Sequence, residues 1–212
     1  MLWGGPNGDL EVRRKGDGGV RLSGRFPYGQ RAVLSDGGRN GRPRKEEIAS
    51  HAFAYRIDDP KEDIHLLAGH SYDKPLASRG AGTFDIRDTA EAVIFDATIT
   101  AEMQRVSYVQ DALAGLAAGL IIGLSPGFRI PPQRAVKDAE KISEEPDDGS
   151  LDEQGQPRRG AIIRTITAAL LYEFSLVTRP AYPETQVEAR NWSPDRSVKI
   201  PLVGHPLNRW RL

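Results

Sequence analysis

A single amphipathic helix set between two groups of alternating apolar runs is the feature that most narrows what this chain can become. Met103, Val106, Val109, Leu113, Leu116 and Leu120 recur every three or four residues, the spacing that gathers apolar side chains on one helix face. Thr100 is placed to cap its start and Gly119 to close it. Before it, Val93, Phe95, Ala97 and Ile99 alternate through 92–99, and Ile64, Leu66, Ala68 and His70 alternate through 64–70, so each run reads as a strand with one apolar face. After it come the short apolar run 120–128 (LIIGLSPGF), where Gly123 and Pro126 oppose helix, and two strand-like runs at 161–168 and 170–178. Strands, one helix and strands again, without regular alternation, predict an α+β fold: a mostly antiparallel, barrel-like sheet with flanking helices.

The 212 residues suit one domain with extensions, and with only 39 % hydrophobic residues against 22 Gly and 15 Pro the core must come from those few dense segments. Residues 1–19 are Gly-rich and charged without periodicity and read as a flexible N-terminal arm. The folded domain is expected over 20–187. Within it, 137–159 (KDAEKISEEPDDGSLDEQGQPRR) lacks large apolar side chains and reads as a mobile loop; 188–212 reads as a polar C-terminal tail.

Lys plus Arg and Asp plus Glu both number 29, so the net charge is zero and nothing in it calls for a nucleic acid or a membrane surface as partner. No cysteine is present, which excludes disulfides, thiolate metal sites and a thiol nucleophile. The four histidines show no zinc-binding spacing and no phosphate-loop motif occurs, so neither metal nor cofactor is expected. Residues 1–19 lack the apolar core of a signal peptide, and no run approaches the ~18 apolar residues of a membrane span, which reads as a soluble cytoplasmic protein.

Three residues could do chemistry. Ser125 lies in Gly123-Leu124-Ser125-Pro126-Gly127; on a strand, Gly123, Ser125 and Gly127 share one face and leave the hydroxyl unshielded, although the same residues also make a turn. They match the nucleophile elbow of α/β-hydrolases as well, but that motif needs a helix after the serine, where Pro126, Pro131 and Pro132 stand, and a later histidine, where only His205 remains. His70 ends an apolar run and could serve as general base, or be a histidine hydrogen-bonded at a strand end. Glu173 is a carboxylate inside the apolar run LYEFSLV and must find a partner if buried, or else face water at a sheet edge.

Three segments in order, Leu66 to Leu76 (LLAGHSYDKPL), Gly123 to Phe128 (GLSPGF) and Leu171 to Val177 (LYEFSLV) closing at Arg179 to Pro183 (RPAYP), make the chain resemble the prohead serine proteases of tailed bacteriophages, distant relatives in fold of the herpesvirus assemblins. The resemblance covers about Leu22 to Val187. It implies a herpesvirus-protease-like fold and a serine endopeptidase with His70 as base, Ser125 as nucleophile and an acidic residue or second histidine as third member: Glu173, with His65 in reserve. Pro126 departs from the family pattern by removing one backbone N–H, which leaves the Gly127 N–H or Arg129 as oxyanion donor. Ser71 stands where the family commonly has aspartate, leaving Asp73 as the nearby acid. The implied setting is the assembling prohead in the host bacterial cytoplasm, where a dimer or other homo-oligomer would cleave capsid or scaffold protein and itself. The alternatives are a non-catalytic capsid-assembly or scaffold module of the same fold and a small α/β-hydrolase esterase.

Overall fold

The computed structural model describes residues 11–14, 18–37, 41–147, 149–151, 155, 157 and 159–180. In chain order its elements are β1 (Glu11–Arg14), β2 (Val20–Pro27), β3 (Arg31–Ser35), β4 (Arg44–Ile48), the one-turn α1 (Ala54–Ile57), β5 (His65–Ala68), β6 (Ser71–Ser78), β7 (Phe84–Asp88), β8 (Ala92–Ile99), α2 (Ser107–Ala117), β9 (Gly123–Arg129), β10 (Glu140–Glu144), β11 (Ile162–Ile166) and β12 (Leu170–Val177).

The strands form three four-stranded sheets, ordered β1-β2-β8-β7, β10-β11-β4-β3 and β6-β5-β12-β9. The pairs β11–β4 and β12–β5 are parallel and the others antiparallel. None of the sheets closes on itself, which corrects the expected barrel: strand alternation specifies which face is buried but not where a hydrogen-bonded ladder ends. The α+β class and the predominance of antiparallel pairing stand.

Aromatic packing joins the sheets. Phe174 of β12 lies 5.6 Å from Phe26 of β2, 5.9 Å from Phe95 of β8 and 6.4 Å from Phe53, ring centroid to ring centroid, and all four are fully buried. Burying a side chain of this size stabilises by roughly 1.5–3 kcal/mol, so this cluster is a principal anchor of β12 in the molecule.

The predicted helix divides in two. Thr100 Oγ1 accepts the Met103 N–H at 3.4 Å, but the turn it opens is a 3-10 turn, Met103–Arg105. Val106 is extended (ψ 132°) and becomes the residue before α2. The apolar period survives the break because Met103 and Val106 still pack against the core that Val109, Leu113 and Leu116 enter. Gly119, at φ 68°, ends the helical segment, the Leu120 and Ile121 N–H groups fold back onto the Gly115 carbonyl, and Ile122 N–H reaches Val177 O at 3.1 Å. That last bond aligns β9 on β12.

Strands also form in segments whose polar composition reads as arm or loop, β1 and β10 among them. β1 lies within the expected arm and pairs with β2 through backbone bonds, which need no side-chain signature. β10 lies within the expected loop and forms a hairpin with β11; its five residues are exposed. Its acidic residues meet basic side chains, with Arg164 of β11 joining Glu140 to Glu46 and Arg42, just before β4, paired with Glu144. An edge strand whose acids face basic neighbours needs no apolar face. The expected tail, 188–212, lies outside the described residues.

Candidate active site

The centre of the site is built on β12, which runs between β5 and β9. Along β9, Leu124 and Phe128 face the core, so Gly123, Ser125 and Gly127 share the opposite face, as alternation predicts. Ser125 stands directly opposite Ser175, and Gly127 opposite Glu173. Cross-strand partners project from the same face, so Ser125, Gly127, Glu173 and Ser175 form one patch. Pro126 is tolerated because β9 is an edge strand.

A β-bulge aims Glu173 into that patch. The β9–β12 register passes from Leu171 opposite Phe128 to Glu173 opposite Gly127, leaving Tyr172 as the extra residue. Strict alternation would put Leu171 and Glu173 on one face. The inserted residue instead buries Leu171 in the core and turns Glu173 toward the site.

His70 arrives from the other side of β12. Ala68 pairs with Ser71, so Gly69 and His70 are the two central residues of the β5–β6 hairpin, and their φ angles of 64° and 60° are those of a type I′ turn. Gly69 adopts this region freely, whereas His70 pays a strain of roughly 1–3 kcal/mol. His70 therefore sits in a turn rather than at the end of a strand face. Gly69 N–H donates to Leu176 O at 3.0 Å and His70 N–H to Ser175 Oγ at 2.8 Å, pinning the turn to β12.

Glu173 is 3 % exposed, and its carboxylate is shared. Oε1 lies 2.8 Å from His70 Nδ1, and Oε2 accepts the Ser175 hydroxyl at 2.6 Å. The imidazole is 46 % exposed, so its second nitrogen can meet a substrate. Oε1 also lies over Gly127: a Cβ there would fall 2.6 Å from Glu173 Cδ and closer still to Oε1. The carboxylate thus bridges from the His70 turn across β12 to the β9 segment that carries Ser125, and only glycine at 127 leaves room for it. Gly127→Ala is expected to push the carboxylate off His70 and lower the turnover number by about 10²-fold through misplacement of the imidazole, while KM changes little. Peptide-cleavage kinetics on the purified variant check this, and unaltered turnover would show that the close approach is unimportant.

The other predicted residues fall as follows. His65 is opposite Glu173 in the parallel pairing, but its Nε2 turns to Asp63 at 3.4 Å and its ring packs edge-on against Tyr72. Arg129, at the end of β9, lies 5.7 Å from the Tyr172 ring, whose centroid Arg56 approaches at 4.3 Å. The Tyr72 hydroxyl is held above its ordinary range by desolvation and then by the nearby Glu173 charge. His51 pairs with Asp88 at 2.6 Å in the loop before α1. Asp73 is exposed on β6, and His205 lies outside the described residues. Among the described residues no group of three His, Cys, Asp or Glu side chains could hold a metal ion, and no helix is long and apolar enough to cross a membrane. Sequence reasoning missed Ser175; the available signal was its spacing of two from Glu173, which places both on one face of a strand.

A half-exposed imidazole fixed by a buried carboxylate on β12, with a half-buried serine on the neighbouring strand β9, is an arrangement suited to serine hydrolases. Ser125 lies inside a strand rather than at a strand-to-helix turn, and the sheets are mostly antiparallel, so the α/β-hydrolase elbow does not describe it. The chain belongs to the caudovirus prohead serine protease family, whose model matches residues 35–198. It is therefore a serine peptidase of the prohead type. No curated protein and no solved structure matches the chain.

Proposed function

We propose that the chain is an endopeptidase that cleaves capsid or scaffold protein, and itself, within the assembling prohead, with Ser125 as nucleophile, His70 as general base and Glu173 as the group that orients it. The reading is carried by one observation, the 2.8 Å contact between His70 Nδ1 and the buried Glu173 carboxylate. An ionised carboxylate can only accept, so Nδ1 carries the proton and Nε2 keeps the lone pair that a general base needs.

The Ser125 oxygen then attacks the scissile carbonyl while its proton passes to His70 Nε2. The imidazolium is stabilised by Glu173 and returns the proton to the leaving amine, leaving an acyl-enzyme. Water, activated by the same histidine, releases the second product. Pro126 has no N–H, so we assign the oxyanion to the Gly127 N–H or to Arg129. Glu173 is preferred to His65 as third member because His65 turns toward Asp63. The expected setting is the host cytoplasm, with the enzyme as a dimer or other homo-oligomer.

A fluorophosphonate, which phosphorylates an activated serine, tests this assignment. Peptide mass mapping should place the adduct on Ser125. No adduct, or one on another serine, counts against the reading.

A further inference from the structure

We infer that Ser175 is a positioning residue of the active site, a fourth member that holds both the base and its orienting carboxylate. The inference rests on the roles proposed above for His70 and Glu173.

Ser175 is fully buried, and its hydroxyl is used completely in one direction. Its single O–H donates to Glu173 Oε2 at 2.6 Å, and its oxygen accepts the His70 N–H at 2.8 Å. The donor is thus spent on a carboxylate, which removes Ser175 as a nucleophile although it stands directly opposite Ser125. With Oε2 occupied, Glu173 offers Oε1 to His70 Nδ1.

His70 is consequently held at two points. Its ring is gripped by Glu173 and its main chain by Ser175, and both grips come from one face of the central strand β12. The second grip matters because His70 occupies the left-handed region, which a non-glycine residue leaves when its surroundings do not hold it. A purely structural buried serine would satisfy itself on any nearby backbone carbonyl. This one joins the base to the residue that orients it.

Removing the hydroxyl should loosen both contacts without touching substrate. Ser175→Ala is expected to fold, to lose about 10- to 100-fold in kcat through displacement of the base, and to leave KM nearly unchanged. In Ser175→Thr and Ser175→Val, two shapes of nearly equal volume, the threonine is expected to be the more active because it alone keeps the hydroxyl. Proton NMR of His70, measured in a Ser125→Ala background to prevent self-cleavage, gives a readout that needs no proteolysis. The hydrogen-bonded Nδ1–H should give a low-field resonance that broadens or vanishes when Ser175→Ala is added. An unchanged resonance, a wild-type kcat in Ser175→Ala, or a Ser175→Thr no better than Ser175→Val would each overturn the inference. If the chain proves not to cleave protein at all, the NMR comparison still decides what Ser175 does.

Discussion

Ser125→Ala and His70→Ala should each abolish cleavage of co-expressed capsid protein, while His205→Ala should leave it intact. A serine hydroxyl is a poor nucleophile without an adjacent base, so removing either member should cost several powers of ten in rate, of order 4–8 kcal/mol in barrier. The two losses should not add, because a nucleophile and its base act as one unit. His70→Ala also leaves a buried carboxylate oxygen without its partner, which costs about 1–3 kcal/mol of stability. His70→Asn is the cleaner control, since asparagine tolerates the left-handed turn that His70 occupies. Gel analysis of the capsid protein, with circular dichroism of each variant, checks all of these. An inactive His205→Ala beside a fully active His70→Ala would transfer the base to the C-terminal region, and activity in Ser125→Ala would remove the serine mechanism.

Glu173→Gln should fold and lose about 10²- to 10⁴-fold in turnover, because the amide conserves shape while removing the charge that stabilises the imidazolium and the acceptor that sets its tautomer. With its nitrogen toward His70, the amide would donate to Nδ1 and force the ring proton onto Nε2, where the base needs a lone pair. With its oxygen toward His70 the tautomer survives but the charge does not. Stopped assays on a fluorogenic peptide report the loss. Near wild-type turnover in Glu173→Gln together with inactivity in His65→Ala would assign the third position to His65.

These experiments concern residues that were visible to very different degrees in the amino-acid order. The face shared by Gly123, Ser125 and Gly127 follows from strand alternation alone, and Leu124 and Phe128 pack on the other side as it requires. The apolar period of the helix was equally legible, though not its break at Val106, where an extended residue keeps the packing while the helix starts again. The site face of Glu173 was not legible. Simple alternation would place it beside Leu171, and only the bulge at Tyr172, formed in the ladder with β9, separates the two.

The chemical inventory and its neighbours along the chain were legible in the amino-acid order: no thiol, a serine between glycines, a histidine after a glycine at the end of an apolar run, and a carboxylate in an apolar run. These are properties of neighbours in the chain, set by periodicity and side-chain type. Only the tertiary structure brings His70, Ser125 and Glu173 to neighbouring strands, because their gathering depends on pairings between segments far apart in sequence: β12 lies parallel to β5 and antiparallel to β9. The same pairings make three open sheets instead of a barrel and let Ser175 bridge the His70 main chain and the Glu173 carboxylate. Hydrogen-bonded ladders use backbone groups that every residue carries, so their partners are chosen by the packing of the whole core around Phe174 and leave no mark in any one segment.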